Sequence, residues 1–180
     1  MRILIASDTH GRLQAVKKLE RRILALNPDK IVLLGDYLYN GPRNGVPEDY
    51  DPMACATILN KYASRIIGVR GNCDSRIDAA LLHFPFDDSL ITYLNGYRVG
   101  LVHGDLPVAS LLQVQRGDIL MFGHTHVYLL QREEGVVYLN PGSTSFPKNG
   151  NPPTYALMEG LRLEIRNLDD DAVLASLDLI

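Results

Sequence analysis

The 180-residue chain has no tryptophan and only two cysteines, Cys55 and Cys73. Two thiols do not make a disulfide framework, so stability must come from a hydrophobic core, and a reducing compartment is expected. No apolar stretch approaches the roughly 18 residues of a membrane span. The chain opens directly on a strand pattern, so cytoplasm is the expected location and no membrane partner is expected. Excess positive charge is also missing. Lys and Arg total 18 against 21 Asp and Glu, a formal charge of -3. That balance gives no standing attraction for nucleic acid or an anionic bilayer, and no basic run interleaved with aromatics is there to track a nucleic-acid backbone. With no repeat, low-complexity segment or linker, residues 1–180 read as one domain. At 46% hydrophobic residues, a chain of this length buries roughly 70% of its unfolded surface.

What the chain does have is a pattern in its histidines. Four of the five, His10, His103, His124 and His126, stand beside glycine, aspartate or another histidine at the end of an apolar run. Imidazole nitrogens and hard carboxylates gathered at strand ends suit a dinuclear metal site, and such a site implies hydrolysis. His83, followed by Phe84 and Pro85, lacks this context and reads as a packed or surface histidine.

Residues 2–7 read as a buried strand broken at Asp8-Thr9-His10-Gly11. A helix follows, with apolar positions Leu13, Val16, Leu19, Ile23 and Leu24, ended by Asn27-Pro28. Ile31 to Leu34 is a second strand, terminated by Gly35-Asp36. This β-α-β rhythm predicts a parallel sheet with helices on its face. Residues 40–51 are too rich in turn formers for regular structure and read as a loop shaping a cleft. Asp51 caps a helix with Pro52 at its first position and Cys55, Ile58, Leu59 and Tyr62 as its stripe. Arg65 to Val69 forms the next strand, stopping at Arg70-Gly71-Asn72-Cys73-Asp74.

The second half is mainly β. Residues 89–94 and 97–102 flank Asn95-Gly96, a strong hairpin signal. A short helix around Val108 to Val114 leads to a strand at Asp118 to Phe122, and further pairs are expected at 127–131 with 136–139 and at 154–158 with 161–165. The Asn140 to Thr144 and Pro147 to Pro153 stretches read as loops. Asp169 to Asp171 reads as a solvated turn, because a calcium loop needs oxygens spread over about 12 residues. One sheet fed by helical crossovers and one by hairpins predict an α/β fold, a four-layer αββα sandwich of two mixed β-sheets flanked by helices.

Each polar residue at a strand end has an ordinary reading: Asp8 as a helix cap, Asp36 in an Asx turn, His103 as a hydrogen-bonded loop histidine. Independent capping, however, gives no reason for histidine to concentrate at strand termini. The one-residue spacing of Asp8 with His10, and of His124 with His126, lets both members of each pair converge on one ion.

In order, Asp8-x-His10, Gly35-Asp36, Gly71-Asn72-x-Asp74, His103-Gly104 and Gly123-His124-x-His126 resemble the signature of calcineurin-like metallophosphoesterases. The compact size, the Gly-Asn-Cys-Asp turn and Asn-Pro-Gly-Ser at 140–143 resemble the small bacterial YfcE-type phosphodiesterases of that family. The resemblance implies an αββα sandwich and two divalent metal ions. Asp8, His10 and His126 would hold one, Asn72, His103 and His124 the other, and Asp36 would bridge them. Manganese is the branch's usual ion. Zinc, iron, nickel or magnesium are alternatives, since mixed nitrogen and oxygen donors do not select one metal. Asp74 would orient His10 or the turn.

The implied activity is hydrolysis of small phosphodiesters by a hydroxide bridging two metals about 3.5 to 4 Å apart. Arg12, Asn40 and Arg43 are the expected outer contacts to phosphate, or else solvated side chains. Cys73 is a departure, because many relatives carry histidine there as a general acid. A thiol is a poorer substitute, or simply fills space. Monoester hydrolysis and a metal-binding interaction scaffold are the alternatives, the second opposed by a complete ligand set. A homodimer or homotetramer is plausible for relatives.

Overall fold

A computed structural model describes residues 1–107 and 112–179 of the chain. β1 (Arg2–Ala6) leads into α1 (Leu13–Leu26), β2 (Lys30–Leu33), α2 (Pro52–Asn60), β3 (Ile66–Val69), α3 (Arg76–Leu81) and the two-residue β4 (Phe86–Asp87). The hairpin β5 (Ser89–Leu94) and β6 (Tyr97–Val102) comes next, then β7 (Ile119–Met121), β8 (Leu129–Glu133), β9 (Val136–Asn140), β10 (Thr154–Glu159), β11 (Arg162–Asn167) and β12 (Val173–Asp178).

These strands make two mixed sheets, a seven-stranded one in the order β12-β11-β10-β1-β2-β3-β4 and a five-stranded one in the order β5-β6-β7-β9-β8. β1, β2 and β3 run parallel, as do β6, β7 and β9. β10 pairs antiparallel with β1, Ile3 facing Met158. The C-terminal hairpins therefore extend the crossover sheet, and each sheet mixes both kinds of connection.

Alternation along β1 assigns the layers. Leu4 and Ala6 pack with Val16, Leu19 and Leu59 of the helices, whereas Ile3 and Ile5 pack with Leu101, Ile119, Met121 and Leu139 of the other sheet. Each of the larger side chains among them, fully withdrawn from water, contributes about 1.5–3 kcal/mol. On the outer face of the five-stranded sheet Val102 and Leu120 pack against Leu112, with Val114 and Phe122 beside them. The helix expected at 108–114 lies largely on residues outside those described.

In α1 the buried positions are Ala15, Val16, Leu19 and Ile23. Leu24, expected on that face, is 67% exposed; one position from Ile23 is about 100° around the helix. Asn27 ends α1 in the left-handed region, its N–H bonded to Ile23. Tyr62 is buried as expected but lies beyond the end of α2. β8 begins at Leu129 rather than Val127, because the backbone through His124 and His126 is turned at positive φ. α3 was not anticipated, although Ser75 and Asp78 form a capping box, the signal that marks its start.

Candidate metal centre

Every expected ligand lies just past the C-terminal end of a parallel strand: Asp8 and His10 after β1, Asp36 after β2, Asn72 after β3, His103 after β6, His124 and His126 after β7. Ends of parallel strands are where open α/β sheets gather ligand-binding loops. Here both sheets present those ends to one side. Asp8, His10, Asp36, His124 and His126 all have positive φ, between 48° and 65°. Non-glycine residues meet steric opposition there, and five in one cluster is strain concentrated at a site.

The side chains converge. His126 Nε2 is 3.2 Å and His10 Nε2 3.7 Å from Asp8 Oδ1. Asp36 Oδ2 lies 3.6 Å from His10 Nε2 and 3.4 Å from His103 Nε2. Asn72 Oδ1 is 3.1 Å from His103 Nε2 and 2.9 Å from His124 Nδ1. Asp8, His10 and His126 thus form one group of donors, and Asp8, Asp36 and His103 another. His83 is exposed and belongs to neither donor group, its N–H bonded to Asn60.

Three backbone carbonyls fix the imidazoles. The Nδ1 of His10, His103 and His126 face the oxygens of Tyr39, Leu34 and Phe146 at 2.8, 2.6 and 2.7 Å. A carbonyl only accepts, so each Nδ1 carries a proton, and in the neutral ring each Nε2 would turn its lone pair into the centre. Asp8 Oδ1 is buried without a hydrogen-bond partner. A buried carboxylate oxygen left without a donor is costly; facing imidazole lone pairs, it suits a cation. The donor set therefore fits divalent metal.

Charge follows this geometry. Burial opposes ionisation of Asp8, but His10 and His126 beside it hold its carboxyl well below the usual range. Burial likewise opposes charge on His103, and the Asp36 carboxylate overcomes it, raising the imidazole to about 9. Burial and the Asp36 charge push the Cys73 thiol up to about 12, so it stays protonated at neutral pH.

The ordinary readings of Asp8 and Asp36 do not describe the structure, whereas His103 is indeed a hydrogen-bonded loop histidine, its ring bound to Leu34. Asp8 does not cap α1; Asp49 does, its main-chain oxygen and Oδ2 accepting the N–H groups of Leu13 and Gln14. Asp36 Oδ1 accepts the Cys73 N–H at 2.8 Å rather than closing a local turn. Asp74 reaches no imidazole. Its oxygens accept the N–H groups of Asp36, Tyr37 and Gly71 at 2.7–2.8 Å, locking the two loops together. The loops are so close that a Cβ on Gly71 would sit 2.1 Å from Asp36 Oδ1.

A cleft of about 340 Å³ opens over the centre, lined by His10, Asp36, Asn72, His124 and His126 with Arg43, Cys73 and Lys148. Arg12 and Asn40 stand outside this lining. The Arg12 guanidinium pairs with Asp49 and lies over the Phe146 ring at 5.1 Å. Asn40 ties the following loop together through Gly45 and Asn44. Sequence reasoning missed Lys148, and it missed the loop after β9 as a support. There Ser143 and Ser145 donate to the Asp8 carbonyl at 3.0 and 2.6 Å, and Asn140 donates to Gly123. The small polar run at 143–145 is the one signal that could have pointed to it.

Two mixed sheets carrying carboxylates and imidazoles to one end define the metallophosphoesterase class. Residues 1–161 match the calcineurin-like phosphoesterase superfamily domain, and the chain belongs to that family. Over 177 residues it is 38% identical to phosphodiesterase YfcE of Escherichia coli K12, covering 97% of this chain and 96% of that protein. The solved structure of the E. coli phosphoesterase YfcE superposes with a TM-score of 0.94 at 36% identity, over all of both chains. Vps29 of Entamoeba histolytica, solved with zinc, shares the fold at 21% identity, with a TM-score of 0.68 and full coverage of both chains.

Proposed function

We propose that the protein is a metal-dependent phosphodiesterase acting on small phosphodiesters. The observation that carries this reading is the unpartnered, buried Asp8 Oδ1 facing the Nε2 atoms of His10 and His126. It has a near counterpart at Asp36, between His10 and His103. The activity named for the E. coli relative, at 38% identity over nearly the whole chain, supports the choice of diester.

Asp8, His10 and His126 would hold one metal and Asn72, His103 and His124 the second, with Asp36, between His10 and His103, available to both. When bound, a pair of divalent ions would supply an activated water and positive charge to neutralise the phosphoryl oxygens. The protein residues do the positioning. The carbonyls of Tyr39, Leu34 and Phe146 orient three imidazoles, and Asp74 fixes the Asp36 backbone. Arg43 and Lys148, on the rim of the cleft, draw in the anionic diester. Cys73 stays a neutral thiol beside Asp36, a weak donor rather than a strong general acid. Manganese is the proposed ion, with zinc, iron, nickel or magnesium as alternatives. No helix among the described residues is long and apolar enough to cross a membrane, and a cytoplasmic homo-oligomer working on small diesters is the setting we propose.

The test strips the protein of metal, restores manganese, and compares bis(4-nitrophenyl) phosphate with 4-nitrophenyl phosphate. Metal-restored turnover favouring the diester is expected. Faster monoester turnover would reassign the enzyme as a phosphomonoesterase, and tight metal binding without turnover of either would favour an interaction scaffold.

A further inference from the structure

Beside the polar cleft lies a second hollow of about 330 Å³, and the two share one wall, Cys73. Its lining includes Leu38, Tyr39, Tyr50, Met53 and Ile77, and no lysine, arginine or histidine. Met53 and Ile77 are 58% and 69% exposed and Tyr39 43%. Asp78, the one acid there, is occupied at home, accepting from the Ser75 N–H and hydroxyl. The groove therefore offers ring faces and aliphatic edges but no cation for a second phosphate. The cations Arg43 and Lys148 line the cleft instead.

The position follows from the fold. Tyr39 belongs to the same loop as Asp36, and its carbonyl fixes His10. Ile77 sits on α3, directly after the Asn72 to Asp74 turn. Tyr50 packs against Gly11, at φ +65°, where the missing Cβ leaves room for it: a Cβ there would lie 2.6 Å from the Tyr50 ring. Cys73 is small, so the partition between hollow and cleft is thin.

We propose that this groove binds one ester substituent of the substrate, and that the substituent is an uncharged aromatic or similarly apolar ring. The inference rests on the phosphodiesterase reading and narrows it to diesters with at least one such arm. An apolar wall continuous with the reaction cleft gives affinity to a flat ring through burial and ring contacts. It gives none to a short polar or anionic arm, whose desolvation it cannot offset.

The experiment compares the manganese-loaded wild type with Met53→Ser, Ile77→Ser and the double variant. The substrates are bis(4-nitrophenyl) phosphate and methyl 4-nitrophenyl phosphate. Both altered side chains are largely exposed, so melting temperatures are expected to hold. Expected is a KM for bis(4-nitrophenyl) phosphate raised about fivefold or more in the double variant, with kcat and bound metal unchanged. An equal rise on the methyl diester would place the departing ring in the groove, and a smaller rise the retained one; either supports the proposal. Unchanged KM on both substrates with turnover intact would overturn it, leaving the groove as a surface for another chain while the hydrolase reading stands. No turnover by the wild type on either diester would instead sink the phosphodiesterase reading, and the groove's role with it.

Discussion

The Asp74 carboxylate holds the backbone of Asp36, accepting its N–H at 2.8 Å. The same side chain accepts from Tyr37 and Gly71. Asp74→Ala would leave three buried or part-buried donors without an acceptor, each costing about 1–3 kcal/mol. Its melting temperature should drop by roughly 6–12 °C, taking about 3 kcal/mol in total and about 2–4 °C per kcal/mol. Metal affinity should fall as well, since the Asp36 loop loses its anchor. Calorimetry and metal titration check both, and an unchanged melting curve would remove Asp74 from this role.

Metal should stabilise the fold. With manganese at about 100 times its Kd, the linkage gain is about 2.7 kcal/mol, and the chelator-treated protein should melt several degrees lower. His126→Ala should retain about one metal fewer per chain by elemental analysis, because that imidazole would serve one metal group only. Retention of both ions would disprove the ligand assignment.

The metal-free protein should lose stability in alkali. Burial opposes charge on His103, but Asp36 and Asp8 raise its folded-state value to about 9 from 6.5. A raised value means stabilisation is complete below pH 6.5 and lost as pH rises through 9. Thermal melts in chelator from pH 6 to 10 should fall along this limb, and His103→Gln should flatten it. Ligation requires the neutral ring, so metal binding releases this proton. Apparent affinity should then climb by up to about tenfold per pH unit until pH 9.

The two arginines near the cleft should behave differently. Arg43 lines it, so Arg43→Ala should raise the diester KM several-fold with the melting temperature unchanged. Arg12 is bound to Asp49, which caps α1, and lies over Phe146. Arg12→Ala should therefore cost about 1–2 kcal/mol of stability, visible in thermal melts. A KM effect of Arg12→Ala larger than that of Arg43→Ala would reverse these roles.

Cys73→His places a titratable donor where a thiol pushed up to about 12 now stands. The ratio of monoester to diester turnover should shift toward the monoester, whose hydrolysis gains more from a general acid. Equal rates before and after would mark Cys73 as filler.

Local signals in the chain were enough to read most of the strands and to mark the polar residues at their ends. β1, β2 and the β5–β6 hairpin were legible because buried strands, helix stripes and Asn95-Gly96 are local signals carried by short-range sterics and periodicity. The seven candidate ligands could be picked out because histidines stand beside glycine or aspartate at strand ends and because the motif order resembles a known family.

Tertiary structure decided what depends on partners distant in sequence. It sent the C-terminal hairpins to β1, with Ile3 opposite Met158, since antiparallel pairing fixes no partner until both edges compete. It turned Arg12 away from the cleft toward Asp49 and gave Asp74 three amide donors from two loops. It also set the Ser143 and Ser145 hydroxyls on the Asp8 carbonyl, 135 and 137 residues away. A side chain's residue type states which bonds it can make; which partner satisfies it is settled only when packing brings one within about 3 Å.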